Sequence, residues 1–161
     1  MRLLQRGFTI VEMSVVLGIA AVLISYATVN LTSIQHITYL AATINTVTVD
    51  LKQQQLKAMV GDTEGRASHD HYGIYFEQTK YTLFHGSTYS SSDTANAIVP
   101  FDNNVQMSAT TFPQSQIIFN GVSGEVIGFT NGQNTITLRN SVTAEQKTIT
   151  INRYGVITNI N

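Results

Sequence analysis

One carboxylate, Glu12, stands inside an apolar run that extends from Phe8 to Tyr26, and no further Asp, Glu, Lys or Arg occurs until Asp50. In the middle of a membrane helix an ionised side chain costs about 2.5–3.5 kcal/mol, so a charge placed there implies a partner and a task. The chemistry open to Glu12 is ion pairing, because a carboxylate taken out of water is tolerated when an opposite charge and hydrogen bonds receive it. The run itself contains no cation. Ahead of it lie Arg2 and Arg6, with no acid between them, and then the junction Gly7-Phe8.

Other residues that could do chemistry are scattered. His69, Asp70 and His71 invite a metal reading, but neighbours in one loop rarely complete a coordination sphere, and there is no Cys or ordered His pair after them. A solvated loop is the expectation, with no metal and no cofactor. The sequence holds no G-x-S-x-G, phosphate-binding loop, H-E-x-x-H or dinucleotide fingerprint, and His36, His69, His71 and His85 have no catalytic spacing. Glu12 and Asp50 are too far apart on one helix to work as an acid and base. The chain is therefore expected not to be an enzyme. Arg139, Lys147 and Arg153 are the candidates for nucleic-acid contact, which would require them to converge on one patch. From Gly61 onward 8 acidic side chains outnumber 5 basic ones, so scattered solvation is favoured over a DNA surface.

These residues need elements to hold them. The 19 residues from Phe8 to Tyr26, at about 1.5 Å rise each, span roughly the 30 Å hydrocarbon layer of a bilayer. The basic leader predicts a cytoplasmic amino terminus and export of the rest of the chain. A cleavable signal peptide fits poorly, since Ile24-Ser25-Tyr26-Ala27 is a weak version of the small-residue cleavage site. With 161 residues, the chain has room for one small core behind this helix. Cysteine is absent, so that core must hold by packing alone.

No proline interrupts the sequence before Val60, and a continuous helix from Phe8 to about Val60 is predicted. Leu31, Ile34, Ile37, Ala41, Ile44, Val47, Leu51 and Ala58, spaced mostly three or four apart, form a stripe that needs a cover. The threonines at 28, 32, 38, 43, 46 and 48 weaken the helix locally, and packing must compensate. Gly61 is the expected stop. From Gly73 the period becomes two. Strands are predicted at Gly73–Phe76, Lys80–His85, Ala97–Val99, Asn104–Ser108, Gln116–Phe119, Glu125–Phe129, Asn134–Arg139, Lys147–Asn152 and Val156–Ile160, with Asn-Gly and Tyr-Gly turns. Gly86 to Asn96, GSTYSSSDTAN, reads as a low-complexity surface loop and a candidate contact loop. The class is α+β: a long amino-terminal helix, then an antiparallel β domain.

The stretch GFTIVEMSVVLGIAAVL resembles the processing and assembly signature of type IV pilins and of the pseudopilins of type II secretion. A basic leader, Gly7 before Phe8, Glu12 at the fifth position after the junction and an apolar run coincide in it. The resemblance implies a pilin-like fold, cleavage between Gly7 and Phe8 by a prepilin peptidase, and methylation of the new amino group of Phe8. It also implies that Glu12 meets the amino terminus of a neighbouring subunit. One helix and then many short strands, with IIFNGVSGEVIGFTNGQNTITLRN and ITINRYGVI near the end, is similar to the H-type minor pseudopilins and FimT-like minor pilins. The chain lacks the helix-bending proline and the cysteine pair of many major pilins.

The implied organisation is a leader at 1–7, a transmembrane and assembly helix at 8–27, its amphipathic continuation at 28–60 and a β domain at 61–161. The implied partners are other pilin or pseudopilin subunits, the prepilin peptidase, the inner-membrane assembly platform and the membrane itself. The place is the inner membrane, single-pass, with the β domain outside or periplasmic, and then a filament of a pilus, secretion or competence machine. Two other readings remain at this point: a tip pilin that binds DNA or another ligand, and a plain signal-anchored β domain.

Overall fold

The computed structural model describes residues 9–65 and 70–161, with the backbone alone for 27–38. Among the described residues it has one α-helix, α1 (Ile10–Val60), a short 3-10 turn at Pro113–Ser115, and eight strands: β1 (Tyr72–Phe76), β2 (Lys80–His85), β3 (Ala97–Pro100), β4 (Val105–Thr110), β5 (Gln116–Phe119), β6 (Thr135–Asn140), β7 (Gln146–Ile151) and β8 (Ile157–Ile160). Two compact units divide the chain, 1–35 and 36–161. The α+β class is as expected from the sequence.

Within residues 36–161 the strands form two antiparallel sheets of four, in the orders β3-β2-β1-β5 and β4-β6-β7-β8. Alternation places Tyr72, Ile74, Phe76, Tyr81, Ile117 and Phe119 on the buried face of the first sheet, and Ile136, Leu138, Ile149 and Ile151 on that of the second. Leu40, Ile44, Val47, Leu51 and Ala58 of α1 join the same core. The buried helical stripe thus runs 40, 43/44, 47, 51, 54, 58, and it differs from the expected one in two ways. Leu40 is buried in place of Ala41, and Thr43 and Gln54 are buried polar members of the stripe. Leu31, Ile34 and Ile37 lie among the side chains outside the described residues.

A tertiary bond offsets the low helix propensity of Thr43. The Thr43 hydroxyl lies 2.9 Å from both the Tyr39 carbonyl and Asp102 Oδ2, a three-centre bond from one proton. At the far end Gly61, with φ +66°, closes a Schellman motif: its N–H donates to the Ala58 carbonyl, and the Asp62 N–H reaches back to the Lys57 carbonyl.

Glu125–Phe129 is not a strand. It makes one bridge, Phe119 to Val126, and leaves the sheet at Gly128, whose φ of +67° breaks the extended path. The Gly86 to Asn96 segment is a surface loop, as expected, and is pinned at Tyr89. Tyr89 stacks on Tyr75 at 4.1 Å and meets Phe84 edge-on, and its N–H donates to Gln116 Oε1. Gly73 makes this aromatic seat possible, since a Cβ there would lie 2.4 Å from Phe84 Cζ.

Candidate functional site

The described part of the apolar segment begins with a built helix start. Thr9 is the N-cap: its Oγ1 accepts the Glu12 N–H at 3.2 Å, and its carbonyl accepts the Met13 N–H at 3.1 Å. Thr9 and Glu12 thus have the spacing and one bond of a capping box, and the Glu12 carboxylate sits in the first turn, where the helix dipole favours a negative charge. The Thr-x-x-Glu spacing is readable in the sequence, but it is hidden when Glu12 is considered only for its charge.

Beyond Glu12 the segment is apolar on all sides. Ile10 is 89% exposed, and Val11, Val15, Leu17, Val22, Leu23 and Ile24 are exposed as well. A helix with this character needs lipid or other helices around it. Its two serines are quieted locally, Ser14 Oγ donating to the Val11 carbonyl and Ser25 Oγ to the Ala21 carbonyl, both at 2.8 Å. Among the described residues no helix is long and apolar enough to cross a membrane. The expected span starts at Phe8 and ends at Ala27, and Phe8 and the Ala27 side chain lie outside the described residues. So do Arg2, Arg6 and Gly7. Glu12 itself is exposed, and among the described residues no ion pair includes it.

Elsewhere the candidates separate. Leu138 pairs with Lys147, so Lys147 shares the inner face of the second sheet, whereas Arg139, paired with Gln146, points to the opposite side. Arg153 sits in the β7–β8 turn and bonds Glu125 Oε2 at 3.3 Å. The three cations therefore form no common patch. His69 lies outside the described residues; His71 accepts the Gly121 N–H on its Nδ1, which gives it a structural task. No cluster of three metal-ligating side chains occurs among the described residues.

The Tyr81 phenol on β2 faces α1. Burial, then the hydrogen bond to Asp50, then the negative charges of Asp50 and Asp102 push the Tyr81 phenol well above its ordinary value. The bond ties β2 to α1.

Residues 2–28 match the prokaryotic N-terminal methylation motif, which supports a type IV pilin-like prepilin and, with it, membrane-anchored assembly. No curated protein and no solved structure matches the chain.

Proposed function

We propose that the chain is a structural subunit, a minor pilin or pseudopilin of a type IV pilus or type II secretion-like filament, and not a catalyst. A prepilin peptidase cuts between Gly7 and Phe8, the Phe8 amino group is methylated, and residues 8–27 anchor the subunit in the inner membrane with its β domain outside. The subunit then leaves the bilayer for a filament built on the amino-terminal helices. The observation that carries this reading is a capped first turn that holds one exposed carboxylate, Glu12, the only charged side chain among the described residues of a largely apolar helical segment that runs to Tyr26. In a filament the surrounding helices replace lipid, and the cationic amino terminus of a neighbour meets Glu12, which removes the cost of burying the charge. The order of one helix and many short strands, together with the missing proline and cysteines, supports the H-type or FimT-like minor class.

The test uses two variants. Glu12→Ala should be processed and inserted like the parent yet fail to enter filaments; normal incorporation of that variant would overturn the assembly role. Gly7→Leu should keep its leader, visible in the intact mass. If the parent chain also keeps residues 1–7 in cells with an active prepilin peptidase, the plain signal anchor becomes the better reading.

A further inference from the structure

The chain carries two Asn-Gly pairs, at 120–121 and 131–132, and the fold treats them in opposite ways. In this dipeptide the backbone nitrogen of glycine can attack the asparagine side chain, because no Cβ shields it. Ring closure requires the side-chain amide to turn freely and the adjoining backbone to rotate with it.

At the first pair both movements are blocked. Asn120 Oδ1 accepts the N–H groups of Val122 at 3.0 Å and Ser123 at 3.2 Å. The Gly121 N–H donates to His71 Nδ1 at 2.9 Å, and Gly121 is buried so closely that a Cβ would stand 2.8 Å from the Asp70 carbonyl oxygen. The second pair occupies the middle of a turn closed by the Gln133 N–H on the Thr130 carbonyl at 3.0 Å. Asn131 and Gly132 are both exposed, and the space around Gly132, with φ +85°, is open. Neither the Asn131 side chain nor the Gly132 N–H has a hydrogen-bond partner among the described residues.

We propose that Asn131 is a site of spontaneous deamidation and that Asn120 is protected from it by the fold. The Gly132 nitrogen loses its proton and bonds to Asn131 Cγ, the Cγ–Nδ2 bond breaks, and ammonia leaves. Water then opens the five-membered imide at one carbonyl or the other, leaving aspartate or isoaspartate at position 131. No oxidant, metal or enzyme takes part. The product adds one negative charge to the turn before β6, and the isoaspartate form also lengthens the backbone there.

The full-length chain, held in detergent micelles in warm, mildly alkaline buffer, is digested with a protease that cuts after glutamate; cleavage after Glu125 separates the two pairs. Mass spectrometry then tracks amide loss at each. One hydrogen bond that must open slows a reaction by roughly tenfold, so loss at Asn131 should exceed loss at Asn120 by at least about that factor. In guanidinium chloride the two rates should converge, which separates the effect of the fold from that of local sequence. Asn131→Ser should abolish the faster reaction and leave Asn120 unchanged. Equal rates in the folded protein, a ratio that survives denaturation, or faster loss at Asn120 with His71 drawing off the Gly121 proton would each overturn the proposal.

Discussion

Tyr81 shows how much one side chain can contribute when the fold surrounds it. It is 1% exposed, its hydroxyl donates to Asp50 of α1, and the carboxylate of Asp102 adds a second negative charge nearby. Ionising the phenol would break the hydrogen bond and set it against both carboxylates, so its folded-state value lies above that of the unfolded chain. The stabilisation is fully present below about pH 10, the ordinary tyrosine value, and is lost as pH rises beyond it, because the unfolded chain ionises first. Urea unfolding between neutral and strongly alkaline pH should show stability falling by about 1.4 kcal/mol per pH unit from this residue once pH exceeds about 10. Tyr81→Phe should be less stable at neutral pH and should lack that component of the slope. An equal slope in both proteins would show that Tyr81 does not govern it. Nothing in the sequence marks Tyr81 apart from Tyr75 or Tyr154, since its value depends on two aspartates that are 31 and 21 residues away. Thr9, by contrast, needed only the residue three positions on.

Two connecting elements repeat one design. Asn120-Gly-Val-Ser-Gly-Glu125 and Asn140-Ser-Val-Thr-Ala-Glu145 share their first, third and sixth residues. In each, the asparagine N–H donates to the glutamate carbonyl, and its Oδ1 accepts the N–H groups two and three residues on. The fifth residue has positive φ in both, +68° at Gly124 and +60° at Ala144. An L-residue in that region pays about 1–2 kcal/mol, from which the greater unfolded freedom of glycine subtracts about 0.5–1. Ala144→Gly should therefore stabilise the protein by about 0.5–1 kcal/mol, measured by denaturant titration. Destabilisation would show that the turn is not held in this conformation. The failed strand at Glu125–Phe129 belongs to the same scale: alternation alone suggested it, while the first of these turns and Gly128 direct the chain elsewhere.

For the whole molecule, the core does not end where the helix does. Leu40, Val47, Leu51 and Ala58 are buried with both sheets, and residues 36–161 form one compact unit. A chain trimmed to 36–161 should unfold in one cooperative transition by circular dichroism and calorimetry. One trimmed to 61–161 should not, because removing even one buried Leu costs about 2–5 kcal/mol, comparable with the whole stability of a small domain. Cooperative unfolding of the shorter piece would show that the β domain from Gly61 folds without the helix. The sequence alone determined the helix-then-sheet order, most strand positions and the helix stop at Gly61. These depend on period and local turn chemistry, which are legible within a few residues. Only the tertiary structure decided the division into two sheets, Leu40 over Ala41, the aromatic seat of Tyr89, the separation of Arg139, Lys147 and Arg153, and the protection of Asn120 but not Asn131. Each of these turns on which distant residue approaches which face, and that is set by packing between segments far apart in the chain.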